Sequence, residues 1–167
     1  MTAISTPAPV VPGRLEQMST RIAFFIAGFG IAAWAPLVPY ANARAQLNEG
    51  TLGLLLLCLG VGSMIAMPVA GALASRYGIR RVATGGTLLI CLGLPMLATV
   101  TSIPLLMAAL FVFGAGLGTV DSTVNLQAVM VERASGKTMM SGFHGLFSLG
   151  GIVGAAGVRG LLGLGWS

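Results

Sequence analysis

Five long apolar stretches dominate this chain, at about residues 22–41, 51–74, 82–100, 104–129 and 140–162. Each reaches or approaches the roughly 20 residues that carry an α-helix across about 30 Å of hydrocarbon. None alternates polar and apolar residues in the two-residue rhythm of a barrel strand. The sequence therefore predicts an all-α membrane protein with five transmembrane helices in one bundle over 21–167. Before them, residues 1–20 are rich in Ala, Pro, Ser and Thr and read as a disordered tail.

Charge agrees with this reading. Only 8% of the residues are charged, against roughly 25% in a soluble domain, too few to cover a water-facing surface. The lipid bilayer is the expected partner. The net charge of +5 does not point to nucleic acid, because the cations lie between apolar spans and not along a polar face. Arg14, Arg21, Arg76, Arg80, Arg81, Arg133 and Lys137 would share one side of the membrane, and only Arg44 and Arg159 the other. Seven cations against two predict a cytoplasmic N-terminus in a multi-pass membrane protein. A cleaved signal peptide ending near Ala41-Asn42-Ala43 is the competing reading of the start. The apolar run is long for one, and Pro36 and Pro39 interrupt its end.

Few residues could carry chemistry. Asp121 lies about eight residues inside the fourth span, roughly 12 Å deep at helical rise, where a carboxylate costs at least about 2.5 kcal/mol to insert. Such groups face a bundle interior or a wet cavity. Asn125, Gly114 and Gly118 fall on the same helical face. Asp121 and Asn125 thus read as a substrate or proton site, with a structural carboxylate bonded to a neighbouring helix as the alternative. His144, near the start of span five, is a candidate proton relay or a local interfacial hydrogen-bonding group. Trp34 sits with Pro36, Pro39, Tyr40 and Asn42 at the end of span one. An interfacial anchor is its default role, and stacking on a solute the sharper one. The prolines should kink or end the helix there. The pairs Gly114/Gly118 and Gly150/Gly154 read first as helix-packing GxxxG motifs.

Enzymatic readings find no support. No second intramembrane carboxylate accompanies Asp121, no serine has a GxSxG setting, and no phosphate-binding GxxxxGK[ST] loop is present. Cys58 and Cys91 lie inside apolar spans without a CxxC or Cys/His cluster, so neither a metal nor a cofactor is expected.

The segment Gly71-Ala72-Leu73-Ala74-Ser75-Arg76-Tyr77-Gly78-Ile79-Arg80-Arg81 reads as a basic loop between spans two and three. It resembles the signature that the major facilitator superfamily carries between its second and third helices. Gly71, Leu73, Arg76, Gly78 and Arg80 fit that pattern, and Arg81 continues its basic run. Ser75 stands at the family's acidic position, and Ile79 at its first basic position after the glycine. Trp34-Ala35-Pro36-Leu37-Val38-Pro39-Tyr40 and Met139-Met140-Ser141-Gly142-Phe143-His144-Gly145 look like a bacterial branch often called MosC- or YbjJ-like. The resemblance implies five of the six helices of an N-terminal half, with the C-terminal half as missing partner. It implies a secondary transporter of a small solute, with protons as a candidate coupling ion and the basic loop as a conformational latch. Asp121, Asn125 and Trp34 would then line the solute path. A non-transporting membrane protein or an inactive remnant is the competing class.

Overall fold

The computed structural model describes residues 13–164, and every regular element in it is helical. Helix α1 spans Arg14–Ala33. A single 3-10 turn, Ala35–Leu37, joins it to α2, Val38–Ala45. Then follow α3, Glu49–Tyr77; α4, Ile79–Thr99; α5, Ile103–Ser135; and α6, Met140–Gly163. With α1 and α2 taken as one crossing, five helical segments are long and apolar enough to cross a membrane.

The helices outrun the apolar stretches that announce them. Residues 14–20, expected in the disordered tail, form the first turns of α1. Ser19 and Thr20 donate their hydroxyls back to the Glu16 carbonyl at 2.9 Å, and Thr20 is buried. Residues 1–12 lie outside the described part. At its other end the first crossing passes the prolines. Neither Pro36 nor Pro39 has an N–H to give, so the α-helix stops at Ala33. The chain tightens into the 3-10 turn and recovers as α2, which ends where Gln46 turns left-handed at φ 49°.

The basic loop expected over 71–81 is almost entirely helix. Residues 71–77 complete α3, residues 79–81 begin α4, and Gly78 alone breaks the two. Gly78 sits at φ 87°, ψ 144°, a region closed to side chains with a Cβ, which is why one residue suffices for the turn.

Helix α5 is the axis of the bundle. Half of its most apolar window is buried, against about a tenth for α3 and α6. It packs on α3, α4 and α1, while α6 packs chiefly on α1. The closest approaches give the directions. Gly114 lies against Leu59 and Gly118 against Ser63, so α3 and α5 run parallel. Gly150 lies against Phe25 and Gly154 against Phe29, so α1 and α6 also run parallel. Gly86 meets Thr119 and Gly93 meets Phe113, so α4 runs against α5. Successive crossings therefore alternate in direction. At these contacts the backbones touch: a Cβ on Gly114 would stand 2.8 Å from the Leu59 carbonyl carbon. Lipid tails give helices no hydrophobic reason to associate, and small residues supply the contact instead. The outer faces keep large apolar side chains in the open, such as Met64, Leu92 and Ile152 at 65–68% exposure, as lipid-facing surfaces do.

Candidate functional site on the central helix

Asp121 and Asn125 stand one turn apart on α5, and both are half-buried. The Asn125 amide donates to the Asp121 carboxylate at 3.2 Å and to the Asp121 carbonyl at 2.9 Å. The pair is a carboxylate with one amide donor, set in the most buried helix of the bundle. The glycines on the same face do something else. Gly114 and Gly118 are consumed by the contact with α3, where the Leu59 and Ser63 carbonyls occupy the space of a side chain. Next to them Ser122 donates its hydroxyl to the Met67 carbonyl of α3 at 3.4 Å. The narrow face is thus a packing seam that ends at a polar pair.

The other candidates are elsewhere. Trp34 meets Phe113 edge-on, ring centres 6.3 Å apart. Phe113 is eight residues before Asp121, about 12 Å along the helix. His144 is exposed on α6 and sits edge-on to Phe24 at 5.5 Å, with Phe24 itself stacked on Phe143. The structure therefore brings Asp121 and Asn125 together and gives Trp34 and His144 separate aromatic partners. A concavity of about 690 Å³ lies between α1, α4 and α5. Glu16, Ser19, Thr20, Arg80, Thr84, Thr87, Thr123 and Gln127 supply its polar lining, and none of the four sequence-predicted path residues does.

The basic motif has a plain geometry. Leu73, Ser75, Arg76, Arg80 and Arg81 are exposed, and Gly71 is half-buried. Arg76 lies over the ring of Tyr77, its guanidinium carbon 5.4 Å from the ring centre. The Ser75 hydroxyl is spent inside its own helix, on the Ala72 carbonyl at 2.8 Å. Of the motif's cations, only Arg80 reaches the large groove.

Five alternating crossings around a glycine-seamed central helix, with this motif at the α3–α4 joint, match a known pattern. The profile of the Major Facilitator Superfamily matches residues 21–167. The chain belongs to this superfamily. It is 58% identical over 156 residues to an uncharacterized transporter of major facilitator type from Yersinia pestis, covering 93% of this chain and 41% of that one. It is 37% identical over 134 residues to the uncharacterized transporter y4wD of Sinorhizobium fredii, covering 80% and 36%. It is 30% identical over 144 residues to the membrane protein MosC of Rhizobium meliloti, covering 86% and 35%. The chain thus spans about two fifths of the length of the relatives it matches most extensively. No solved structure matches it.

Two polar residues of this superfamily member escaped sequence reasoning. Arg44 of α2 donates to the Leu97, Ala98 and Val100 carbonyls at the end of α4, at 2.8 Å to Leu97 and 2.9 Å to Val100. Glu132, in the last turn of α5, accepts the Met139 and Met140 N–H groups at 2.6 and 2.7 Å. Both satisfy helix ends that lack their own partners. In the sequence Arg44 counts only as a cation on the less basic side. The Glu132 cap has no signal, since an acid eight residues before a helix start matches no capping pattern.

Proposed function

We propose that this chain is the N-terminal part of a secondary active transporter that moves a small solute across the bacterial inner membrane. Its N-terminus and the Arg76–Arg81 end of the bundle face the cytoplasm. The remaining length seen in the relatives supplies the other wall of the path. The solute site is at the interface of the two parts, near the middle of the bilayer. The observation that carries this reading is the Asp121–Asn125 pair. A carboxylate inside a span is costly, and helices that keep one use it on a solute or a proton. Asp121 accepts a proton or a polar group of the solute, and Asn125 orients it. Arg76, Arg80 and Arg81 bias the closing of the cytoplasmic end. Lipid, solute and protons are the partners of this cycle.

The test uses a chimera in which this chain replaces the matching segment of the Yersinia pestis relative, reconstituted in proteoliposomes. Solutes are screened by counterflow, with and without a pH gradient. Asp121→Asn should insert normally, lose gradient-driven accumulation and retain passive exchange. Low insertion with normal gradient dependence per inserted molecule would make Asp121 a structural carboxylate. The absence of flux for any solute in a well-folded chimera would favour a non-transporting protein.

A further inference from the structure

Helix α2 differs from every other helix of the bundle in how it is held. It has eight residues, and neither it nor the 3-10 turn before it contains a buried residue. It lies between two backbone joints. On one side Pro36 and Pro39 interrupt the α-helical hydrogen bonding, and on the other Gln46 takes a left-handed conformation at φ 49°. Under it is a cavity of about 30 Å³ whose walls include Val38 and Ala41 from α2 and Leu55, Leu97, Leu106 and Leu110 from the helices below. That space holds at most about one water, and an apolar lining leaves it dry.

What fastens this segment is Arg44. The last carbonyls of α4 have no intrahelical partners. That helix has no basic residue in its own last turn, and its chain leaves extended at Val100. The guanidinium spans the Leu97, Ala98 and Val100 carbonyls with Nε, Nη1 and Nη2 together. A planar fork with five N–H groups can do this, and a lysine ammonium cannot. Both sides of the contact can be rehydrated at a helix end, so breaking it strands no polar group; the opposing cost is exposure of Leu55, Leu97, Leu106 and Leu110, which are buried beneath α2.

We propose that α2 is a lid over the end of the bundle opposite Gly78, hinged at Ala35–Leu37 and latched by Arg44 on the C-terminal carbonyls of α4. Release of the latch swings Val38 and Ala41 away from the helices below and opens the cavity between them. The proposal stands apart from the transport reading, because it concerns the motion of this segment alone.

The test is thiol accessibility in the whole 167-residue chain in lipid nanodiscs, where both ends of the bundle can be reached. In a Cys58→Ser, Cys91→Ser background, Ala41→Cys reports on the underside of the lid. Ala128→Cys, a fully buried position on α5, reports on general loosening. Reaction with a charged maleimide should accelerate at Ala41→Cys by about tenfold or more in Arg44→Ala, the factor that goes with losing a hydrogen bond to a charged group. Arg44→Lys should fall between that and the parent, while Ala128→Cys remains protected. Unchanged labelling at Ala41→Cys in both variants would overturn the latch. So would a parallel rise at Ala128→Cys. Failure of both variants to yield folded protein would make Arg44 an assembly residue and not a releasable one.

Discussion

Replacing Gly114 with alanine tests the seam between α3 and α5. The new Cβ would stand 2.8 Å from the Leu59 carbonyl carbon and 3.0 Å from its Cα, with the carbonyl oxygen nearer still. Carbon atoms rest at about 3.5–4.0 Å, so the carbon contacts alone require the helices to part by roughly 0.7–1 Å, and the nearer carbonyl oxygen requires more. The obstacle is backbone and cannot rotate aside. Parting also loosens the contacts of Gly62 with Phe111 and Ala115 and of Gly118 with Ser63. Overpacking of this kind costs about 1–3 kcal/mol. Alanine returns about 1 kcal/mol as the better helix former, so the net loss is up to about 2 kcal/mol. Gly60→Ala is the control on the facing helix. Nothing lies within 4 Å of its Cβ position, and it should stabilise the protein by up to about 1 kcal/mol. Denaturation in sodium dodecyl sulfate, followed by helical circular dichroism, measures both. Gly62→Ala combined with Gly114→Ala should cost less than the sum of the two, because one separation makes room for both methyl groups. Gly114→Ala more stable than wild type, or no less stable than Gly60→Ala, would refute the reading of the seam as backbone contact.

The other expectations are shorter. Glu132→Ala leaves the Met139 and Met140 N–H groups without their acceptor, so hydrogen exchange at those two amides should accelerate while exchange in the middle of α6 stays slow; Glu132→Gln, which keeps an oxygen, should lie between. Arg76→Ala and Arg80→Ala, made in the Yersinia pestis chimera, should slow transport more than they lower expression; unchanged kinetics in both would reduce the motif to a topology signal. Single cysteines between residues 42 and 50, in the background without native cysteines, should react with an impermeant reagent added to intact cells; reaction only after the membrane is opened would reverse the assigned orientation.

The number and kind of helices were legible because hydropathy measures the property the bilayer selects. The helix ends were not, because an apolar window marks the hydrocarbon and not the hydrogen-bonded run. Met130–Ser135 lies past the apolar stretch and carries Glu132, Arg133 and Ser135, yet it continues α5 until Gly136 takes φ 64°. The same reason carries α3 through Ser75, Arg76 and Tyr77. At the site, the Asp121–Asn125 bond follows from a spacing of four and could be foreseen. The GxxxG pairs were also readable as packing. What Trp34 and His144 face could not be read, since Phe113 and Phe24 belong to helices far away in sequence. Arg44 shows the limit most plainly: its acceptors lie 53–56 residues further along the chain, beyond any local pattern.

The single-residue joint at Gly78 has a mechanical consequence. One extended residue reaches at most about 3.6 Å, so the neighbouring ends of α3 and α4 cannot slide or separate. Any relative motion of the two is a rotation about that point, like the legs of a pair of compasses. Helix α4 is a lever of about 31 Å, so turning it by roughly 5° displaces its far tip by about 3 Å. Small angular changes beside Arg76 and Arg80 are therefore delivered, magnified, to the tip at Leu97–Val100, which is where Arg44 takes hold.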